Sequence, residues 1–241
     1  MTAVAPSRSG ERDGAVFAVL AALLDYPDDA LVGALADARA LLLAERSLPR
    51  DARAGLERFF DYCTARDLTT LQENYVALFD RGRATSLYLF EHVHGESRDR
   101  GQAMVDLLQM YERHGLMLGA NELPDYLPVF LEYLSQRPLK EARALLAETG
   151  EILASITDEL TKRGSHYGFV VGALLPLAGV RGGAAPADAD AIDDDDAARP
   201  PTAADYRALD AAWTDEPVRF VGAATPASEP VQFYERRPAR R

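Results

Sequence analysis

Apolar residues recur at intervals of three and four along most of the chain, from about residue 14 to residue 180. In the first such stretch Phe17, Leu20 and Leu24 recur in this way, and the stretch ends before Pro27. This spacing places side chains on one face of an α-helix, and proline disfavours helical backbone in the residue before it. No stretch alternates apolar and polar residues around hairpin turns, and no strands alternate with helices. The pattern therefore predicts a single all-α, helical-bundle-like domain of about eight or nine helices.

The later helices are predicted from the same spacing and from residues that favour helix ends. They are expected to start near Asp28, Pro49 and Thr69, and then to cover residues 97–114, 125–136, 138–163 and 165–177. The helix over residues 97–114 is expected to end at Gly115 and to bury Met104, Leu107, Leu108 and Tyr111. Residues 87–93 fit either a helix or a strand.

The composition changes after residue 180. Residues 181–201 are rich in glycine, alanine, proline and aspartate, and include four consecutive aspartates at 193–196. Such a segment buries too little apolar surface to offset its chain entropy, so a disordered acidic linker is predicted. Residues 202–241 are predicted to be a tail with a short docking element, whose apolar anchors are Tyr206, Leu209, Trp213, Val218 and Phe220. A flexible N-terminus over residues 1–13 and an all-α domain over residues 14–180 complete the predicted organisation.

Charge and cysteine content narrow the functional classes. The formal net charge is −12, from 38 acidic and 26 basic side chains. Nucleic-acid affinity depends on clustered lysine and arginine, so no nucleic-acid partner is expected, whereas a basic peptide suits an acidic chain. The single cysteine, Cys63, has no disulfide partner, which fits a reducing cytoplasm. No signal-peptide pattern is present at the start, and the longest apolar stretch, residues 168–180, is too short for a membrane span.

The first candidate site is the stretch over residues 87–102, which combines two histidines, alternating charges and two glycines between predicted helices. His92 and His94 would share a face only in a strand. A His-x-His pair occurs in metal hydrolases, but such a centre needs further ligands, and His114 and His166 both lie in helical context. The other interpretation is a helix junction held by hydrogen bonds and ion pairs.

The second candidate site covers residues 121–128. Pro124 fits the start of a helix, and Asp125 in a first helical turn would favour the positive end of the helix dipole. A carboxylate and an aromatic ring at such a boundary could also line a groove for a peptide. The chain has no phosphate-binding glycine loop, no Gly-x-Ser-x-Gly and no His-Glu-x-x-His. These features favour a binding or chaperone protein over an enzyme.

Both stretches resemble the signature of a known family. Residues 87–95, Leu-Tyr-Leu-Phe-Glu-His-Val-His-Gly, and residues 97–104, Ser-Arg-Asp-Arg-Gly-Gln-Ala-Met, resemble the nitrate reductase molybdenum cofactor assembly chaperones, or delta subunits. Residues 122–128, Glu-Leu-Pro-Asp-Tyr-Leu-Pro, do so as well, with supporting matches at residues 23–27, 75–80 and 213–220. The resemblance covers roughly residues 16–180 and the short tail element. The acidic linker departs from the family pattern.

The resemblance implies an all-α chaperone without catalytic activity. It would bind the N-terminal segment of the catalytic (alpha) subunit of nitrate reductase in the cytoplasm. It would keep that subunit open while the bis-guanine-dinucleotide molybdenum cofactor is inserted, and would delay docking to the membrane subunit. No cofactor would be bound stably and the chaperone would not itself enter the membrane, and the cofactor-insertion machinery is a further candidate partner.

The client peptide would lie as an amphipathic helix in a groove between helices, with polar side chains fixing its register. Tyr88 and Tyr126 are expected to supply aromatic contacts. The predicted polar rim consists of Glu91, His92, His94, Arg98, Asp99, Arg100, Glu122 and Asp125.

Three alternatives stay open at this point. A sister chaperone could serve a different molybdenum enzyme, such as a dimethyl sulfoxide or formate oxidoreductase. A metal-dependent hydrolase could be built on His92 and His94. A helical scaffold without a client would bind no peptide.

Overall fold

The computed structural model describes residues 14–93, 98–119 and 122–180, without the side chain of Arg98. His94, the predicted flexible N-terminus, the acidic linker and the docking tail lie outside these residues. The described residues form α-helices, one 3₁₀ turn at Arg83–Thr85 and no strand, which confirms the all-α prediction. The helices are α1 (Ala15–Leu24), α2 (Asp29–Ala44), α3 (Arg50–Thr64), α4 (Leu68–Phe79), α5 (Leu89–Val93), α6 (Arg98–Arg113), α7 (Leu127–Ser135), α8 (Leu139–Glu148), α9 (Gly150–Lys162), α10 (Tyr167–Gly172) and α11 (Leu174–Leu177).

Aspartate side chains start two of the helices. Asp28 Oδ1 accepts a hydrogen bond from the Leu31 amide at 2.7 Å, and Asp67 Oδ1 accepts one from the Thr70 amide at 2.8 Å. The first amides of a helix have no partner inside it, so these carboxylates satisfy them. Asp28 is the predicted cap of α2, whereas α4 begins before the predicted Thr69 because Asp67 caps it.

Two predicted helices are each divided in the structure. The helix predicted over residues 138–163 ends at Glu148 and resumes at Gly150, where a Cβ would lie 2.8 Å from Val180 Cγ2. The bare backbone of Gly150 therefore lets the end of the domain pack closely at this break. The segment predicted over residues 165–177 forms α10 and α11, and Pro176 has no amide hydrogen to continue a regular helical ladder.

The helix α1 lies at the centre of the domain. Its side chains Phe17, Leu20 and Leu24 are completely buried, and it packs most extensively on α7. At its start, a Cβ on Gly14 would lie 1.9 Å from the Ser135 carbonyl oxygen, so the two backbones meet directly. None of the helices in the described ranges combines the length and the hydrophobicity that a membrane span requires.

Candidate functional site

The two candidate stretches meet through their backbones. Tyr88 and Tyr126 form an isolated antiparallel bridge. The Leu89 amide donates to the Asp125 carbonyl at 2.9 Å, and the Leu127 amide donates to the Leu87 carbonyl at 2.8 Å. The ambiguous segment over residues 87–93 is therefore extended at Tyr88 and helical from Leu89 onward.

This pairing corrects the predicted start of α7. Asp125 does not lie in the first turn of the helix, because Tyr126 is held in extended backbone by its partner Tyr88. The helix begins at Leu127, and Pro128 rather than Pro124 occupies its first turn, where the missing amide hydrogen has no intrahelical partner to lose. Asp125 is thereby placed in the turn before the helix, facing α5 and α6.

Side-chain contacts connect this bridge to the end of α1 through Tyr75 and Asp25. The Tyr88 and Tyr126 ring centroids lie 5.2 Å apart, and the Tyr126 hydroxyl lies 2.8 Å from that of Tyr75. Tyr75 donates to the Leu24 carbonyl at 2.9 Å. A hydroxyl has one hydrogen, so Tyr126 donates to Tyr75 or to Asp25 Oδ1, which lies 3.2 Å away.

Asp125 is a buried carboxylate with one oxygen satisfied. Its side chain is fully buried, and Oδ2 accepts a hydrogen bond from the Phe90 amide at 3.2 Å. Oδ1 has no hydrogen-bond partner among the described residues. Burial raises the pKa of Asp125, although the Phe90 amide and the nearby Arg100 charge oppose that shift. Asp125 is therefore a costly group to keep at this junction.

Arg100 connects α6 to the same junction. Its Nη2 lies 3.7 Å from Glu91 Oε1 and 3.8 Å from Asp125 Oδ2, so it neutralises both carboxylates without a direct hydrogen bond. A second link lies near the end of the helix, where the buried Tyr111 hydroxyl donates to the Pro124 carbonyl at 2.8 Å. The helix α6 is thus attached near both of its ends to the turn that precedes α7.

The remaining predicted rim residues lie at the edge of this junction or outside it. His92 Nε2 lies 2.9 Å from the Ser86 carbonyl, which requires a hydrogen on that nitrogen because a carbonyl only accepts. Glu122 is exposed and accepts a hydrogen bond from the Gly119 amide at 2.7 Å, closing its own loop. Asp99 is exposed in the first turn of α6. The structure therefore joins Tyr88, Glu91, Arg100, Asp125 and Tyr126, whereas the side chains of His94 and Arg98 lie outside its described part.

Two residues of the junction were not singled out from the sequence. Asp25 and Tyr75 lie within the supporting matches at residues 23–27 and 75–80, and Tyr75 was expected on the apolar face of its helix, but neither was predicted as a site residue. Tyr75 could have been identified from its chemistry, because a tyrosine on the buried, apolar face of a helix needs a hydrogen-bond partner for its hydroxyl. Tyr75 is buried and donates to the last carbonyl of α1, which is how the two supporting matches come together.

The surroundings of Tyr88 are acidic. Burial raises the pKa of this half-exposed tyrosine, and the charges of Asp125, Asp80, Glu91 and Asp25 raise it further. Tyr26, whose ring packs edge-on against Tyr75, is 48% exposed beside them. Aromatic faces combined with carboxylates favour a cationic group. Within the described residues, no three His, Cys, Asp or Glu side chains are grouped as ligands for a metal ion.

Comparison with known proteins identifies the family. The family model described as "Nitrate reductase delta subunit" matches residues 45–168. The chain is 43% identical over 226 residues to "Nitrate reductase molybdenum cofactor assembly chaperone NarJ" of Escherichia coli (strain K12), covering 91% of this chain and 90% of the relative. It is 39% identical over 226 residues to "Probable nitrate reductase molybdenum cofactor assembly chaperone NarW" of the same strain, covering 92% and 91%. It is 32% identical over 159 residues to the probable NarJ chaperone of Bacillus subtilis (strain 168), covering 66% and 85%. On these matches, the chain belongs to the nitrate reductase delta subunit family of assembly chaperones.

Proposed function

We propose that this chain binds the N-terminal segment of a nitrate reductase catalytic subunit and supports insertion of its molybdenum cofactor before membrane docking. The names of its relatives support a role in nitrate reductase assembly. The observation that carries the finer proposal is the meeting of the two candidate stretches at the Tyr88–Tyr126 bridge. The chain would act by binding in the cytoplasm, without catalysis and without a stably held cofactor.

The chemistry of the junction suits a peptide that carries both a cation and apolar side chains. Tyr88 and Tyr26 present partly exposed rings, and Asp25 and Asp80 are exposed carboxylates near them. A lysine or arginine of the client would stack on an aromatic face while a carboxylate balances its charge. Arg100 would meanwhile keep Glu91 and Asp125 neutralised and hold α6 in position.

Calorimetric titration of the full chain tests this proposal. The titrant is a synthetic peptide with the N-terminal sequence of the nitrate reductase catalytic subunit from the same organism. Saturable one-to-one binding is expected, and Tyr88→Ala should weaken it about tenfold or more, since an aromatic anchor at an interface contributes on the order of 2 kcal/mol. Arg100→Ala should weaken it as well by releasing α6. Val32→Ala is the matched control, because Val32 is 42% exposed on α2, a helix that supplies none of the side chains of the junction.

A second peptide separates this function from the sister-chaperone alternative. The corresponding segment of a dimethyl sulfoxide or formate oxidoreductase should bind far more weakly than the nitrate reductase peptide. If it binds equally well, the client is not restricted to nitrate reductase. If neither peptide binds, the junction is not a client site.

A further inference from the structure

The helix α6 carries two apolar stripes, and only one of them faces the core. Leu107, Met110 and Tyr111 belong to the first stripe, and they are buried or packed against the core. The second stripe consists of Met104, Val105 and Leu108, which lie one, three and four residues from one another on a neighbouring face of the helix. We name these three side chains the outer stripe.

The outer stripe does not pack against the core of the described residues. Val105 is 46% exposed, and Met104 and Leu108 are half-buried without being among the side chains packed against the core. Gly101, one turn earlier on this face, is exposed, and a Cβ built on it would meet nothing within 4 Å. The helix also has no extensive packing partner among the described elements. A row of apolar side chains beside an open glycine is the kind of face that receives another helix.

The chain itself contains a segment whose spacing fits this face. Tyr206, Leu209 and Trp213 stand three and four residues apart, which is the anchor spacing of a helix that lies in an apolar groove. Thr202 and Asp205 stand in the positions of a helix-capping pair at the start of this segment. We propose that residues 202–213 dock as a helix on the outer stripe of α6 in the same chain.

The length of chain between the two segments allows this contact. The described residues end at Val180, which packs against Gly150, so the start of the connection is fixed on the domain. Residues 181–201 would span roughly 25 Å as a flexible chain, compared with a radius of gyration of roughly 15 Å for a domain of this size. Repulsion between the aspartates of residues 188–196 would favour an extended connection, as in other charged linkers.

Two further observations favour this occupant. The match with the Escherichia coli NarJ covers 91% of the 241 residues, about 219 residues, so wherever it begins it extends to at least about residue 219 and includes residues 202–213. The segment is therefore part of the stretch shared with that relative, beyond residue 168 where the family model ends. A second copy of the chain is a poorer occupant, because each copy carries a net charge of −12.

Trp213 is the single tryptophan of the chain, so its fluorescence reports this contact directly in the full-length protein. In the native chain its emission should be blue-shifted relative to the urea-unfolded chain, and acrylamide should quench it weakly. Val105→Asp and Leu108→Asp should shift the emission to the red and at least double the quenching constant. Val32→Asp on α2 is the matched control and should change neither quantity, since Val32 is equally exposed but lies on a different helix.

A variant in the tail guards against an effect of misfolding. Leu209→Asp lies outside the predicted all-α domain and should release Trp213 as strongly as the α6 variants, while the cooperative urea unfolding of the domain, followed by circular dichroism, is retained in all variants. Native emission as red as that of the unfolded chain would overturn the proposal. The proposal would also be overturned if Trp213 stayed protected from acrylamide in the α6 variants. Protection that disappears on dilution would overturn it as well, because it would show that Trp213 contacts a second copy of the chain.

This test is independent of client binding. If Trp213 is exposed in the free chain and Leu108→Asp weakens the client peptide, the outer stripe belongs to the client and the tail proposal fails. If the client peptide does not bind but Trp213 is released by the α6 variants, the proposed function fails and the tail contact stands.

Discussion

The helices α1 and α6 both carry apolar residues at helical spacing, but they differ in composition and in surroundings. All ten residues of α1 are apolar, compared with seven of the sixteen residues of α6. Phe17, Leu20 and Leu24 of α1 are fully buried, and the first turn of the helix touches the backbone of α7. Among the described side chains of α6, over residues 99–113, only Tyr111 is fully buried, and Val105 is 46% exposed. Both helices show an apolar face in the sequence, so periodicity alone does not reveal how much of that face the domain covers. The comparison therefore distinguishes α1, a helix buried in the core, from α6, a helix that contacts the domain along one side.

The largest effect that distinguishes the two helices should come from shortening one leucine on each. Leu20→Ala on α1 should lower the free energy of unfolding by about 3–4 kcal/mol, because it leaves a cavity in the core. Leu108→Ala on α6 should cost less than about 1 kcal/mol, because Leu108 is half-buried and lies away from the core. Urea unfolding at equilibrium measures both values. Equal losses would show that α6 is as much a part of the core as α1.

A pair of glycines should give the next largest difference. Gly14→Ala should destabilise the chain by about 1–3 kcal/mol, because the new Cβ collides with the Ser135 carbonyl oxygen. Gly101→Ala on α6 should stabilise it by up to about 1 kcal/mol, because the site is open and alanine favours helix. Thermal unfolding of the two variants checks the signs. If Gly14→Ala is neutral, α1 and α7 can move apart at this point.

The sequence predicted the ends of the helices better than the neighbours on which the helices pack. Helix ends were predicted correctly where their cause is local, as at Pro27, Asp28 and Gly115. Gly115 follows α6 with a φ of +85°, the left-handed conformation in which glycine commonly ends a helix. The break before Gly150 was missed because the apolar spacing continues through it. The close approach of Val180, thirty residues away in the chain, to the bare backbone of Gly150 is not visible in that spacing. The buried face predicted for α6 was wrong for Met104 and Leu108, which lie outside the packed core, since nothing in the spacing states which neighbour is present.

The candidate site was predicted in part for the same reason. Residues 87–102 and 121–128 were recognised as candidate sites, and the structure joins Tyr88, Arg100 and Asp125 at one junction. Asp125 was predicted in a first helical turn because Pro124 precedes it. In the structure its position is set by the next residue, Tyr126, which pairs with Tyr88. Pairing across nearly forty residues cannot be read from either segment alone.

The attachment of α6 can be weakened without touching the core of α1. Tyr111→Phe removes the hydroxyl that donates to the Pro124 carbonyl and should cost about 1 kcal/mol. Amide hydrogen exchange should then accelerate in α6 while α1 keeps its protection. Tyr26→Phe is the control, since that ring is 48% exposed. Equal acceleration in both helices would mean that they open as one unit.

The smallest effect concerns the charge of Asp125, and its sign is fixed by the direction of the pKa shift. Burial holds the folded pKa above the ordinary value of 3.8, so the folded chain binds this proton more tightly than the unfolded chain. The contribution of Asp125 to stability is therefore unfavourable above its folded pKa. It improves as the pH falls through that pKa toward 3.8.

Asp125→Asn removes this titration and keeps an oxygen that accepts from the Phe90 amide. The variant should equal or exceed the parent in stability at pH 7, and that advantage should shrink as the pH falls toward 3.8. Urea unfolding across this range measures the difference, with Asp106→Asn on the exposed face of α6 as control. A variant that is less stable at pH 7, with a deficit that shrinks in acid, would show that Arg100 and the Phe90 amide outweigh burial. In that case the Asp125 carboxylate would stabilise the attachment of α6 to the domain. The difference in attachment between α1 and α6 would then be smaller than the exposure of the outer stripe indicates.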